Sequence, residues 1–190
     1  MNYPNGKNNK YHKTIDYANR GMDLEGIINE TNKYLLENDI ALIYKKPTPI
    51  GIVDVSYQNN KQVITKAYFA SPSTLDYNGL YKGKYIEFDA KSTNSKTSFS
   101  LANIHPHQLL HIKNILKHGG ITFLIISMNS NYYLLEGNVL LDFIKNNTRK
   151  SIPYSFIDEF AYKLDYNYIK GLNYIKYVDR IIGGLENEDV

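Results

Sequence analysis

The chain contains no cysteine. That excludes a disulfide framework, a thiolate metal centre and a cysteine nucleophile. No apolar run is long enough to cross a bilayer. The opening stretch, residues 1–13, is polar and rich in Asn, Lys and Tyr rather than a basic–apolar–small leader. Cytoplasmic residence, with no membrane partner, is the expectation. Strong charge is missing too. The formal net charge is only +3, which alone says little about nucleic acid. The excess lies in the first hundred residues, the half that also carries the most suggestive acids.

What is present is ample apolar material. At 43% hydrophobic over 190 residues the chain can build one proper core. A helix is expected from about Asn19 to Asn38, with Met22, Ile27, Ile28, Thr31, Tyr34 and Leu35 near one stripe. Short β-rich pieces follow at 40–44, 50–57 and 63–69, interrupted by Pro47 and Pro49, with Asn59 and Asn60 at a hairpin tip. The segment 84–91 alternates apolar and polar, the pattern of a half-buried strand. A helix starts near Pro106 and ends at Gly119-Gly120, and 121–127 reads as a central strand covered on both faces. Asn131 to Glu136 is its hairpin partner, 138–145 a helix, and the Tyr-rich stretch beyond Pro153 is helical in part. Residues 1–18 and 184–190 are expected to be flexible ends of a single domain. This order is an α/β sandwich, not a regular βαβ alternation.

The chemistry concentrates around one strand. Asp76 precedes Asp89, and Lys91 follows two positions later. Residues two apart on a strand share a face, so Glu87, Asp89 and Lys91 point one way while Ile86, Phe88 and Ala90 point into the core. A turn around Asn78-Gly79 is expected to fold Asp76 back towards the strand's end. Two carboxylates and an ammonium suffice for metal-assisted phosphodiester cleavage. Mg²⁺ prefers oxygen ligands and keeps several waters, so Asp76, Asp89 and the backbone carbonyl of Ala90 suit it. Lys91 would orient water or neutralise charge on the phosphate. Glu25 would serve a second ion or hold water, or else simply stabilise a helix's first turn. Gln108 would position water or phosphate, or else merely occupy an opening turn. His105 and His107 invite a metal reading, but nothing else supplies zinc ligands. An acidic-x-Lys triplet by itself is common on ordinary surfaces.

A longer ordered set of pieces is more specific: Tyr3-Pro4-Asn5-Gly6-Lys7, Asn19-Arg20-Gly21-Met22 with Glu25, Lys46-Pro47-Thr48-Pro49, Ala67-Tyr68-Phe69, and Ser73-Thr74 leading into Asp76-Tyr77-Asn78-Gly79. Tyr85-Ile86-Glu87-Phe88-Asp89-Ala90-Lys91 and His107-Gln108 complete it. This set resembles the RecU-type bacterial Holliday junction resolvases of the PD-(D/E)xK nuclease superfamily.

The resemblance implies a restriction-endonuclease-like core, a mixed central sheet flanked by helices, with a β stalk inserted at about 45–71. It implies a homodimer that resolves four-way DNA junctions by symmetric, Mg²⁺-dependent cuts, with Mn²⁺ able to substitute, acting on the nucleoid in recombination and repair. Asp76, Asp89, Lys91, Glu25 and Gln108 would be catalytic. Asp76, Asp89, Ala90 and Glu87 would be the metal ligands or their neighbours. Lys45, Lys46, Lys61, Lys66, Thr74 and Arg20 would contact DNA, the lysines supplying salt-sensitive binding. Family members are also implicated in modulating the RecA recombinase, so a non-catalytic junction binder is the alternative. A duplex endonuclease of restriction type is disfavoured, because no separate recognition domain is in sight. Two departures bear on activity. Glu87 and Asp89 stand where the family usually has Asp and Glu, and Leu75 stands where a Thr is more familiar.

Overall fold

A computed structural model describes residues 23–70 and 74–188, with side chains described as far as residue 184. The expectations for Arg20, for the motifs before residue 23 and for the N-terminal end lie outside those residues. Helix α1 (Leu24–Glu37) starts where Asp23 caps it, its carboxylate accepting from the Gly26 N–H at 2.9 Å. Strand β1 (Leu42–Lys45) follows, and then the long hairpin β2 (Ile50–Gln58) and β3 (Lys61–Phe69). Strands β4 (Tyr77–Tyr81) and β5 (Lys84–Ser92) form a second hairpin. Next come β6 (Ser98–Ser100), α2 (Pro106–Lys117), β7 (Ile121–Met128), β8 (Asn131–Glu136) and α3 (Gly137–Asn146). The C-terminal part is short pieces: β9 (Ser151–Pro153), α4 (Tyr154–Phe160), β10 (Tyr162–Leu164), β11 (Tyr166–Asn167) and β12 (Gly171–Leu172), then α5 (Tyr174–Glu188).

Six strands make the central sheet, in the order β1-β4-β5-β7-β8-β10. It is mixed: β5 and β7 run parallel, and the other neighbours are antiparallel. On one face α1 and α5 pack Ile28, Leu35, Tyr174 and Val178 against Ile86, Phe88, Phe123 and Ile125. On the other face α2, α3 and α4 bring Ile112, Leu140, Phe143 and Ile157 over Leu124, Ile126 and Leu135. Across the first face Tyr77, Phe88 and Phe123 lie in register on three adjacent strands, their rings stacked at 4.9 and 4.7 Å. Fully burying one such ring contributes roughly 1.5–3 kcal/mol. This ladder fixes which way the intervening residues of β5 must point.

Two expectations change here. The turn that folds Asp76 back is Lys82-Gly83, both at positive φ (47° and 75°), joining β4 to β5. Asn78-Gly79 lies inside β4 instead. Gly79 is there because β4 and β1 approach closely: a Cβ would sit 2.0 Å from the Leu42 carbonyl oxygen. Strand β5 is also not half-buried. Glu87 and Asp89 are 1% and 0% exposed, since the second helical layer covers their face as well.

The protrusion is the hairpin Ile50–Phe69 alone, closed by Asn59 and Asn60 at positive φ. At nine residues per strand it reaches about 30 Å from the sheet. Lys45 belongs to the central sheet, opposite Tyr77, and not to the stalk.

Candidate active site

The site sits where β4 and β5 part. Their pairing begins at Tyr77↔Phe88, whereas β5 stays paired to β7 as far as Ser92. Residues 89–91 therefore have no β4 partner on that edge. Asp76, one residue before β4 begins, occupies the mouth of the split, held by its carbonyl accepting from the Lys46 N–H at 2.7 Å.

Asp76 and Asp89 meet there. Partial burial, the hydrogen bond between the two carboxyls and repulsion from Asp89 push the Asp76 carboxyl up to about 7, against the pull of Lys91 and Lys45. Lys91 Nζ lies 2.9 Å from Asp89 Oδ2. Gln108 Nε2 donates to the same oxygen at 2.6 Å, while its Oε1 accepts from the His105 N–H at 3.0 Å in a capping box of α2. Gln108 is thus used at both ends. It fixes the Asp89 rotamer instead of offering a loose amide to water. Asp89 Oδ1 accepts from the Ala90 N–H at 3.0 Å. At the rim Glu25 pairs with Lys45, and Tyr77 OH lies 3.4 Å from the Glu25 carbonyl oxygen. Thr74, two residues before Asp76, is half-buried.

Glu87 has a different place from the one expected. Its Oε1 accepts from Lys46 Nζ, from the Leu75 N–H at 3.0 Å and from His111 Nε2 at 2.9 Å, and its Oε2 accepts from Tyr85 OH at 2.6 Å. Burial opposes its charge, but the hydrogen bonds from Lys46, Tyr85 and His111 outweigh that and lower its pKa. A buried carboxylate without such donors would cost several kcal/mol. Glu87 is therefore a strut that ties the base of the stalk, the Asp76 segment and α2 together. Nor are Lys45 and Lys46 free cations of the stalk, because each turns onto an acid. Among the expected DNA contacts, Lys61 and Lys66 stand exposed on β3.

Sequence reasoning missed His111 and the structural use of Lys46. The only signal was His111 four residues beyond His107, on the helix that covers β5. His105 and His107 stack on one another with ring centroids 5.4 Å apart, and His105 serves as the N-cap residue of α2. Neither departure from the family pattern disrupts the site. Asp89, though the shorter acid, still reaches Asp76. Leu75 uses its backbone N–H towards Glu87, and its side chain fills the core at 1% exposure.

The donor set suits a hard divalent cation: oxygens only, with excess negative charge already evident in Asp76. Among the described residues no three of His, Cys, Asp and Glu converge on one point. Backbone, water or phosphate oxygens would complete a shell begun by Asp76 and Asp89.

Residues 19–180 match the family model described as Recombination protein U. The Holliday junction resolvase RecU of Bacillus subtilis (strain 168) is 44% identical over 195 residues, 95% of this chain and 95% of that protein. That of Oceanobacillus iheyensis is 44% identical over 194 residues, 95% and 99% of the two chains. That of Staphylococcus aureus (strain JH9) is 44% identical over 200 residues, 96% of each. A solved structure of Archaeoglobus fulgidus Hjc, a Holliday junction resolvase, overlays at a TM-score of 0.39 with 9% identity, over 69% of this chain and 90% of that one.

Proposed function

This chain belongs to the RecU family, and from that premise we propose that it is a structure-selective endonuclease that resolves four-way DNA junctions by metal-dependent phosphodiester hydrolysis. The observation that carries the reading is the convergence of Asp76 and Asp89 at the split between β4 and β5, with Lys91 bonded to one of them. Asp76 and Asp89 would hold Mg²⁺, or Mn²⁺ in its place. When bound, the ion would polarise the phosphate and lower the pKa of a coordinated water. The chain's own groups do the rest. Gln108 holds Asp89 in one rotamer, and Glu87 holds the Asp76 segment through Leu75 and Lys46. Lys91 carries three donors, one of them used on Asp89, so it can also meet charge that develops on the phosphate oxygens as water attacks phosphorus and the sugar–oxygen bond to phosphorus breaks. Glu25, partly exposed at the rim, would hold a water or a second ion.

The protein would act as a homodimer, because two like strands must be cut and two-fold symmetry supplies two sites. Branched DNA would be its partner, with the nucleoid of the cytoplasm as its place of action. Among the described residues no helix is long and apolar enough to cross a membrane. Asp76→Asn combined with Asp89→Asn should abolish cleavage of a synthetic junction in Mg²⁺ and leave binding intact. Cleavage by that double variant would refute the site assignment. Tight binding by the wild-type protein with no nicks in Mg²⁺ or Mn²⁺ would favour the alternative, a non-catalytic junction binder that modulates RecA.

A further inference from the structure

We propose that the β6–β9 ribbon and the two loops it ties together form a phosphate ledge for one duplex arm of the junction, on the opposite side of the active site from the stalk. The proposal rests on the nuclease reading and extends it to residues with no role in the chemistry.

The sequence makes this region basic by omission. No Asp or Glu occurs between Asp89 and Glu136, an interval holding Lys91, Lys96, Lys113 and Lys117. A second acid-free interval, between Asp142 and Asp158, holds Lys145, Arg149 and Lys150. The fold then brings the two together. Ser98, Phe99 and Ser100 pair with Pro153, Ile152 and Ser151. The Leu101 N–H donates to the Lys150 carbonyl at 3.0 Å, and the Tyr154 N–H to the Thr97 carbonyl at 2.8 Å. Phe99 and Ile152 anchor the ribbon, both fully buried in the second core.

The loop between Lys91 and the ribbon is held rigidly. The Thr93 N–H donates to the Ser127 carbonyl at 3.0 Å, the Ser95 N–H to Thr93 Oγ1 at 3.2 Å and Asn129 Nδ2 to the Lys96 carbonyl at 3.0 Å. A loop ordered in advance loses little further entropy on binding. Lys96, Arg149 and Lys150 are exposed, and among the described residues none has an acid within ion-pair distance. Unneutralised cations stand at the two ends of the ribbon, Lys96 beyond Ser98 and Arg149 with Lys150 beyond Ser151, and exposed Ser and Thr hydroxyls lie between them, a spacing that suits successive phosphates rather than a single one.

Placement selects the arm. The chain leaves the active site at Lys91 and returns to it at Gln108, so the segment carrying β6 is fixed to the site at both ends. Lys96 lies five residues beyond Lys91, a reach of at most about 18 Å. Lys96 therefore stands within about half a turn of B-DNA, roughly 17 Å, of the site. In the sheet order the stalk emerges between β1 and β4, on one side of the β4–β5 split, while the loop leading into the ledge is tied to Ser127 and Asn129 at the β7–β8 turn, on the other side. The incised phosphate therefore lies between them, and the ledge meets the arm that carries it.

The test is Lys96→Ala, Arg149→Ala and Lys150→Ala together in the full-length protein, with junction binding measured from 50 to 200 mM salt. If each residue neutralises one phosphate, the wild-type affinity should fall roughly 40-fold more than that of the triple variant across this range. The charge-keeping set Lys96→Arg, Arg149→Lys and Lys150→Arg should keep the wild-type slope. A junction with neutral methylphosphonates within half a turn of the incision should weaken wild-type binding and leave the triple variant's affinity unchanged. Parallel salt slopes, or equal weakening of both proteins by the methylphosphonates, would overturn the ledge. A wild-type protein that neither binds nor cuts junctions would instead sink the nuclease reading, so the two failures are distinct.

Discussion

At the scale of single residues, the informative groups are the carboxylates, whose partners decide their roles. Glu87 and Asp89 share a strand face and are both buried, yet only Asp89 meets another acid. Glu87 is neutralised by Lys46 and hydrogen-bonded by Tyr85 and His111, so its charge is balanced without a metal ion. Burial, the hydrogen bond to Asp89 and repulsion from it push the Asp76 carboxyl up to about 7. That folded-state value lies above the unfolded one of 3.8, so the native state holds the proton more tightly. The metal-free protein should lose stability as pH rises from near 4 through about 7. Cation binding needs the charged form and should strengthen over the same window with proton release. Calorimetry of Mg²⁺ or Mn²⁺ binding in buffers of different ionisation enthalpy checks this. The Asp76→Asn protein should show no such proton release.

At the scale of elements, the stalk is a hairpin attached to the core at its base only. Its nine-residue strands keep large apolar groups exposed, including Tyr57 and Phe69 at 76% and 82%. Surface of that kind is retained where it meets a partner. The cations that stand on it are Lys61 and Lys66, since Lys45 and Lys46 at its foot are occupied by Glu25 and Glu87. Replacing Lys61 and Lys66 with Ala should reduce the slope of log affinity against log salt by about two, with little change in thermal stability. Binding titrations over a salt series measure it. An unchanged slope would mean that the hairpin makes no phosphate contacts.

At the scale of the whole molecule, one mixed sheet places the candidate site, the split between β4 and β5, between a protruding hairpin and the β6–β9 ribbon. On the proposed reading, two cuts on like strands need two such units. A heterodimer of one wild-type protomer and one Asp76→Asn, Asp89→Asn protomer should nick a single strand per binding event. A gel that separates singly and doubly cut junctions reads this directly. Double cutting by the mixed dimer would mean that one site serves both strands.

The elements themselves were legible because local pattern determines them. The apolar run 121–127, the Pro106 start of α2, the turn at Asn129-Ser130 and the alternation in β5 each follow from short-range sterics and hydrophobic period. The family motifs also named Asp76, Asp89 and Lys91 correctly as neighbours. What short-range pattern does not contain is which partner each group finds. Gly79 read as a turn residue, and only the approach of β1 shows why no Cβ fits there. Glu87 read as a metal ligand or the neighbour of one, and only the layer carrying His111 and the foot of the stalk carrying Lys46 show that its charge is already satisfied. Burial and charge balance are set by residues distant in the chain, so the tertiary structure alone decided that Glu87 is a strut while Asp76 and Asp89 face one another.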